Sequence, residues 1–280
     1  MSAATQTAPL PLPRAQRAAH AGALATLSRR RLALTARTPR ELLVPLLTPV
    51  LFALVIAPAL KTALHTPSSY ESYVAIGTVG LLVPLNTLFL GLGVIVDRVG
   101  GAQRELLAAP VPRPLLVLGN LVVALAITAL QIGTLLLAAV ARRIHFQPHG
   151  AGALWFVGSA LLLTIAMYGA AEILASRIPR QEEYIARVPA IAIAPWFLAG
   201  SLFPITAMPA ALAWIARFLP LTHALALMRY GLLADPAGLH AIWRTGDTTL
   251  AAALSLAVVA AFAAALTVGA VRIFTRAAVQ

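Results

Sequence analysis

Residues 114–141, PLLVLGNLVVALAITALQIGTLLLAAVA, run from Pro114 to Ala141 without a charged side chain. A helix needs about 20 apolar residues to cross a hydrocarbon layer about 30 Å thick, so this stretch is long enough to cross once, over about 115–140. On both sides the same criterion gives further spans at about 42–60, 72–96, 150–172, 188–208 and 248–271. The fifth apolar run is longer than one crossing needs. It extends to 216, holds Pro195, Pro204 and Pro209, and resumes after Arg217 as a shorter stretch at 218–228. Proline breaks or kinks a helix, so one full span followed by a broken, partly inserted pair of helices at about 209–232 is expected. The predicted fold class is an all-α membrane protein. It has six transmembrane helices, an N-terminal interfacial helix and a broken re-entrant helical pair after the fifth span, with 42–276 forming a single transmembrane domain.

Composition agrees. Of 280 residues, 60% are hydrophobic and only 11% charged, and the mean hydropathy is +0.87. Soluble domains carry about a quarter charged residues, so an ordinary soluble enzyme is excluded and most apolar surface is expected to face lipid. The net charge of +12 raises nucleic acid as a partner. The basic residues sit between apolar runs, however, and cluster as Arg29, Arg30 and Arg31, a pattern suited to anionic lipid headgroups or a cytoplasmic partner. No nucleic-acid partner is expected. The chain has no Cys, which excludes disulfides and cysteine nucleophiles.

The tail divides in two. Residues 1–20 are rich in Ala, Pro and Thr and are expected to be a disordered cytoplasmic tail. Residues 21–41 alternate Leu and Ala with the Arg cluster, as an amphipathic helix lying in the headgroup plane does. No cleavable signal peptide is visible in the first 41 residues, which lack an apolar h-region. With the N terminus inside, 15 of the 21 Lys and Arg residues fall on the inner side and 6 on the other. Cytoplasmic loops carry the excess of Lys and Arg, so both termini are expected in the cytoplasm of a multi-pass protein of the cell membrane.

Three chemistries would each require particular residues. Hydrolysis of ATP by this chain would need a glycine-rich phosphate loop ending in Gly-Lys-Ser/Thr. The single lysine, Lys61, lies between Leu60 and Thr62, so nucleotide chemistry would reside on another polypeptide and the chain is not read as an enzyme. A proton-coupled secondary exporter would place acids within its spans. Of the nine acids only Asp97 and Glu172 come close, with Arg98 beside the first and Arg177 about a turn beyond the second to pair with them at the interface. An intramembrane hydrolase would need a serine beside a base at membrane depth. Ser159, Ser201 and His223 are available, with nothing in the sequence to link them. His145 and His149 have a metal-like spacing, but Pro148 intervenes and no carboxylate is near. A non-transporting membrane anchor for a complex is the fourth possibility.

The loop 97–114, Asp-Arg-Val-Gly-Gly-Ala-Gln-Arg-Glu-Leu-Leu-Ala-Ala-Pro-Val-Pro-Arg-Pro, carries the most information. Ala102 to Ala108 reads as a short helix, with Arg104 and Glu105 beside Leu106 and Leu107. Pro110, Pro112 and Pro114 then stop it, because the residue before a proline disfavours the α conformation. A short amphipathic helix held between two spans suits docking into a partner's groove.

These residues resemble a known family. Asp97-Arg-Val-Gly-Gly, then Arg104-Glu-Leu-Leu-Ala-Ala-Pro-Val-Pro-Arg113 and Leu-Val-Leu-Gly119-Asn, is similar to the loop after the second span in permease subunits of ABC-2 type exporters. Phe197-Leu-Ala-Gly-Ser-Leu-Phe-Pro204, Met208-Pro-Ala-Ala-Leu-Ala-Trp214, Leu219-Pro-Leu-Thr-His223 and Met228-Arg-Tyr-Gly231 look like that family's fifth span and re-entrant helices. The likeness covers almost the whole chain and is strongest to daunorubicin-resistance-type multidrug permeases. Polysaccharide and lipid exporters share the architecture. One departure is Asp97 with Gly100-Gly101, where the family often has glutamates and a single glycine.

The resemblance implies that the loop is a coupling helix contacting the ATPase through Asp97, Arg98, Gly101, Arg104, Glu105, Leu106, Leu107, Pro110 and Arg113. It implies two such permease subunits, as a homodimer or heterodimer, with two separate ABC ATPase subunits that hold ATP and Mg, while this chain binds no cofactor and no metal. Hydrophobic drugs, lipids or related compounds would be moved outward. The second and fifth spans would line the cavity, making Asn86, Phe89, Phe197 and Phe203 its candidate residues.

Overall fold

A computed structural model describes residues 14–37, 46–64, 69–108, 111–148 and 150–277. Helices account for the regular structure among them. They are α1 Arg14–Ala36, α2 Leu46–Ala63, α3 Ser69–Leu90, α4 Leu92–Val99, α5 Ala102–Ala108, α6 Arg113–Ala141 and α7 Gly152–Arg177. Then follow α8 Gln181–Leu198, α9 Ala210–Ala216, α10 Pro220–Leu233, α11 Ala237–Trp243 and α12 Thr248–Ala277.

Five helical stretches are long and apolar enough to cross a membrane: Leu46–Ala63, the nearly continuous α3 and α4 over Ser69–Val99, Arg113–Ala141, Gly152–Arg177 and Thr248–Arg276. The broken pair is also present. Helices α9 and α10 meet at 81°, where the chain turns at Arg217 ahead of Pro220, the first residue of α10. The protein is therefore an all-α, multi-pass membrane protein.

The expected fifth span, 188–208, is not among these five stretches. Helix α8 starts at Gln181 and stops at Leu198, although the apolar run continues. Glu182 and Glu183 occupy its first turn, where carboxylates meet the positive end of the helix dipole. Beyond Leu198, Gly200 takes a φ of +75°, which a continuing helix cannot accommodate. Pro204 then opens a short 3-10 turn, Ile205–Ala207. Hydrophobicity reported the length of apolar chain there, and glycine and proline decided how much of it is helix.

Helix α7 occupies the centre, with α3, α10 and α12 packed around it. Lipid provides no hydrophobic force between helices, so small residues that let backbones approach closely hold such bundles together. Gly169 of α7 lies against the backbone of Leu266 and Thr267 in α12, and Gly231 of α10 against the carbonyl of Gly152. Ala166, Ala171 and Ala175 of α7 are fully buried. The apolar core extends from this contact through Leu163, Val83, Leu225, Met228 and Val259.

Helix α1 begins at Arg14 instead of 21, because the Ala- and Arg-rich residues 14–26 are themselves strong helix formers. The part of the expected disordered tail at 1–13 lies outside the described residues, as do 38–41 of the expected interfacial helix. One face of α1 turns to the bundle. Ser28 and Thr35 are buried, Arg31 is half-buried, Leu27 rests on Gly119, and the Ser28 hydroxyl donates to the Gly119 carbonyl at 3.4 Å. Arg29, Arg30, Leu32 and Leu34 face outward.

Candidate functional site at the α4–α5–α6 turn

The expected short helix is present with the expected limits, Ala102–Ala108. Gly101, with a φ of +80°, makes the sharp reversal out of α4 that a residue with a Cβ would resist. Pro112 precedes α6 in an extended conformation (φ −55°, ψ 125°). Pro110 lies outside the described residues.

Two arginines fasten this turn to spans distant in sequence. Arg98 donates to the carbonyl oxygens of Ala175 at 3.0 Å and Ile178 at 2.7 Å, at the end of α7. Arg113 donates to the carbonyl of Thr275 at 3.2 Å, at the end of α12. The last carbonyls of a helix have no intrahelical partner and carry its negative dipole end, so each guanidinium acts as a C-terminal cap. Arg98 is thus a cap, and its expected pairing with Asp97 is replaced by another. Asp97 pairs with Arg31 of α1 at 3.0 Å.

The two faces of α5 differ. Leu106 and Leu107 are half-buried and pack into an apolar cluster with Leu27, Leu116, Tyr168 and Phe274. Arg104 and Glu105 are exposed, and Val99, at the end of α4, is 69% exposed. The leucines therefore seat the helix on the bundle, and the charged pair is what it presents outward.

Behind α5 is a buried polar cluster. Glu172 is only 1% exposed and accepts the hydroxyl of Tyr168, one turn earlier on α7. Its other carboxylate oxygen has no partner. Glu172 lines a cavity of about 40 Å³ with Asn120, Gln103, Arg31 and Asp97. The arginine expected to pair with it, Arg177, is exposed and forms none of the ion pairs of the described residues. A carboxylate on the inner face of α7 takes its one hydrogen bond from its own helix neighbour, which a count of nearby charges does not reveal.

The four cavity candidates do not converge. Asn86 and Phe89 lie three residues apart on α3, Phe89 packing beside Tyr184. Phe197 is 51% exposed and meets Trp196 edge-on at 4.8 Å. Trp196 donates to the carbonyl of Gly77, more than three turns from Phe89 along α3. Phe203 lines a separate open cavity of about 1220 Å³ at the opposite end of the bundle from α5, with Tyr70, Tyr73, Arg142, Arg143 and Asp235.

Ser159 donates to the carbonyl of Phe156 at 3.0 Å, and the buried Ser201 hydroxyl is unpartnered. His223 touches neither. Its Nε2 lies 2.8 Å from the Arg217 carbonyl, which can only accept, so Nδ1 accepts from the Ser255 hydroxyl at 3.2 Å. Ser255 in turn accepts the Trp243 indole N–H at 2.8 Å. The histidine ties α10 to α11 and α12. Among the described residues no group of three or more His, Asp or Glu side chains could hold a metal, and His149 lies outside them.

Two residues that matter escaped the sequence reading. Tyr184 of α8 donates its hydroxyl to the Leu88 carbonyl at 2.5 Å and sits directly over Gly91, where α3 gives way to α4. An inserted side chain of this kind interrupts the helical ladder. Arg229, one of the six basic residues counted on the outer side, is buried within α10. Its run of flanking apolar residues was the available signal.

The bundle, the broken pair and a short helix capped onto two spans define a polytopic α-helical membrane protein, with no catalytic constellation among the described residues. The chain belongs to the ABC-2 type transporter family, whose sequence model matches residues 22–233. That match runs from α1 through α10 and includes the α4–α5–α6 turn. No curated protein matches the chain.

Proposed function

We propose that this chain is the membrane-spanning subunit of an ATP-driven exporter, energised by a separate ABC ATPase that docks on α5 from the cytoplasm. The observation carrying this reading is the anchoring of α5: a seven-residue helix with no buried residue, presenting Arg104 and Glu105, and capped through Arg98 and Arg113 onto the ends of α7 and α12. A push on such a helix reaches two spans that are not its covalent neighbours.

Two copies, or this chain and a paralogue, would enclose the translocation path, with Asn86, Phe89, Phe197 and Phe203 contributing from each. The four lie too far apart to form one pocket within a subunit, which favours a path between subunits. Closure of the ATPases on ATP and Mg would move α5 and α1 together, because Arg31 of α1 pairs with Asp97 of α4, the helix that leads into α5. Direction then follows from the cargo's different affinity for the two states, combined with hydrolysis. The apolar composition and the resemblance to multidrug permeases favour hydrophobic drugs or lipids over polysaccharide as cargo, and the family likeness favours export.

The test is purification from native membranes in mild detergent, followed by assays of ATP hydrolysis and of nucleotide-dependent flux of an apolar dye in vesicles. A stoichiometric phosphate-loop ATPase with ATP-driven flux supports the proposal. The buried Glu172, with one unpartnered carboxylate oxygen, favours a second reading, a proton-coupled exporter. Flux that follows a proton gradient with no ATPase bound would establish that instead.

A further inference from the structure

Arg229 is 6% exposed and lies one turn before the end of α10. Its guanidinium stacks on the Tyr73 ring at 3.5 Å and donates to the Ser201 carbonyl at 3.0 Å, while Nε–H has no partner. The ion pairs of the described residues are Arg31–Asp97, Lys61–Glu71 and Arg187–Glu183, and Arg229 is in none of them. Arginine stays protonated in proteins, and an unpaired charge in a membrane interior is costly and marks a functional position.

The guanidinium lines a cavity of about 190 Å³ between α10, α11 and the 200–206 turn. Thr222, Ala226 and Arg229 form one stripe of α10 along its wall, at the i, i+4, i+7 spacing of a helix face. Thr222 is 3% exposed and its hydroxyl is also unpartnered. Ala226 between them is too small to fill the space. Asp235 is the carboxylate on the lining, and one of its oxygens already accepts the Ala237 backbone N–H at 2.9 Å. The cavity shares Tyr73, Pro204 and Asp235 with the open 1220 Å³ cavity, whose lining also carries Arg142, Arg143 and the Lys61–Glu71 ion pair.

We infer that this chamber binds an oxyanion, a phosphate or carboxylate group, held by the Arg229 guanidinium and the Thr222 hydroxyl. Water would satisfy the free N–H and O–H groups but brings no charge to set beside the buried guanidinium, which makes no ion pair with the Asp235 carboxylate on the same lining. A planar guanidinium with a second donor on the same wall matches a group offering several acceptor oxygens. The group can arrive as a free anion or as the headgroup of an anionic amphiphile. The inference does not depend on the ATP-driven reading, because the chamber lies within one chain.

The experiment uses the full chain in neutral detergent at constant chloride, following thermal unfolding by tryptophan emission. It titrates inorganic phosphate, dihexanoyl phosphatidic acid and, as a zwitterionic control, dihexanoyl phosphatidylcholine. The unfolding midpoint is expected to rise saturably with an anionic probe. The near-isosteric Thr222→Val should weaken the apparent affinity about tenfold, and Arg229→Gln should abolish the response. Should Arg229→Gln fail to fold, Thr222→Val alone decides. A response to inorganic phosphate identifies a free-anion site, and a response to phosphatidic acid alone identifies a headgroup site. No saturable rise with either anion, an equal rise with phosphatidylcholine, or a response unchanged in Thr222→Val overturns the inference.

Discussion

The guanidinium of Arg98 lies 2.7 Å from the carbonyl oxygen of Ile178, just past the end of α7. Eighty residues separate the two in sequence, and the contact makes the turn after α3–α4 part of the central helix. With Arg113 at the end of α12, it turns a surface helix into a lever fixed at both ends. The proposed function depends on that rigidity.

Replacing Arg98 with Ala removes two hydrogen bonds from a charged donor, each contributing about 1–3 kcal/mol when buried and less here, where the site is partly exposed. The unfolding midpoint should fall by several degrees and protease should cut 99–112 faster. Arg98→Lys should recover only part of this, since an ammonium lacks the planar fork that spans the Ala175 and Ile178 carbonyls. An alanine variant with unchanged midpoint and cleavage rate would show the cap to be idle.

The two faces of α5 should separate genetically. Exchanging the charges, Arg104→Glu with Glu105→Arg, touches only exposed positions and should change stability by less than about 0.5 kcal/mol, while weakening association with the ATPase about tenfold. Leu106→Asp instead places a carboxylate against Leu116 and Phe274 and should lower the midpoint as well as association. Binding assays beside thermal unfolding distinguish these; a charge exchange that leaves association intact would place the docking surface elsewhere.

Gly91 and Tyr184 form a testable pair. A Cβ at Gly91 would overlap the Tyr184 hydroxyl, so Gly91→Ala should cost about 1–3 kcal/mol, as overpacking does. In a Tyr184→Phe background the obstructing oxygen is gone and the cost should shrink. A double-mutant cycle by chemical unfolding would show coupling of about 1 kcal/mol. Strict additivity would mean that the break at Gly91 has another cause.

Much of this fold is legible in the chain because hydrocarbon thickness sets a length that apolar runs must meet. The runs around 72–96, 115–140, 150–172 and 248–271 are helices for that reason, and Ala102–Ala108 was bounded by Gly101 and the prolines that follow. What stayed hidden depends on distant partners. Arg98 reads as a neighbour of Asp97, yet the folded chain offers it the free carbonyls of α7 and gives Asp97 to Arg31. Glu172 looks like an interfacial acid until helix phase turns it inward beside Tyr168. Arg229 counts as one more outer-side charge until the bent pair brings it against the Tyr73 ring. Leu106 and Leu107 advertise a docking face by composition, and the bundle itself takes that face.

Glu172 separates the two energy sources. Under the ATP-driven account Glu172→Gln retains most nucleotide-dependent flux, because the amide can still accept the Tyr168 hydroxyl, and dissipating the proton gradient leaves transport unchanged. Flux assays in vesicles with and without a protonophore check this. Loss of transport in Glu172→Gln together with protonophore sensitivity would transfer the role of driver to the buried carboxylate.

The docking of an ATPase on α5 can be measured most directly because the chain contains no cysteine. A single thiol introduced as Glu105→Cys sits on the exposed face of α5, and Leu154→Cys, at a position 75% exposed near the start of α7, serves as the control at the other end of the bundle. Cross-linking in native membranes with a short thiol-to-amine reagent should join the thiol of Glu105→Cys to a phosphate-loop ATPase, with a yield that changes on adding ATP, and should leave Leu154→Cys unjoined to it. Absence of an ATPase adduct at Glu105→Cys, or equal adducts from both positions, would contradict the account.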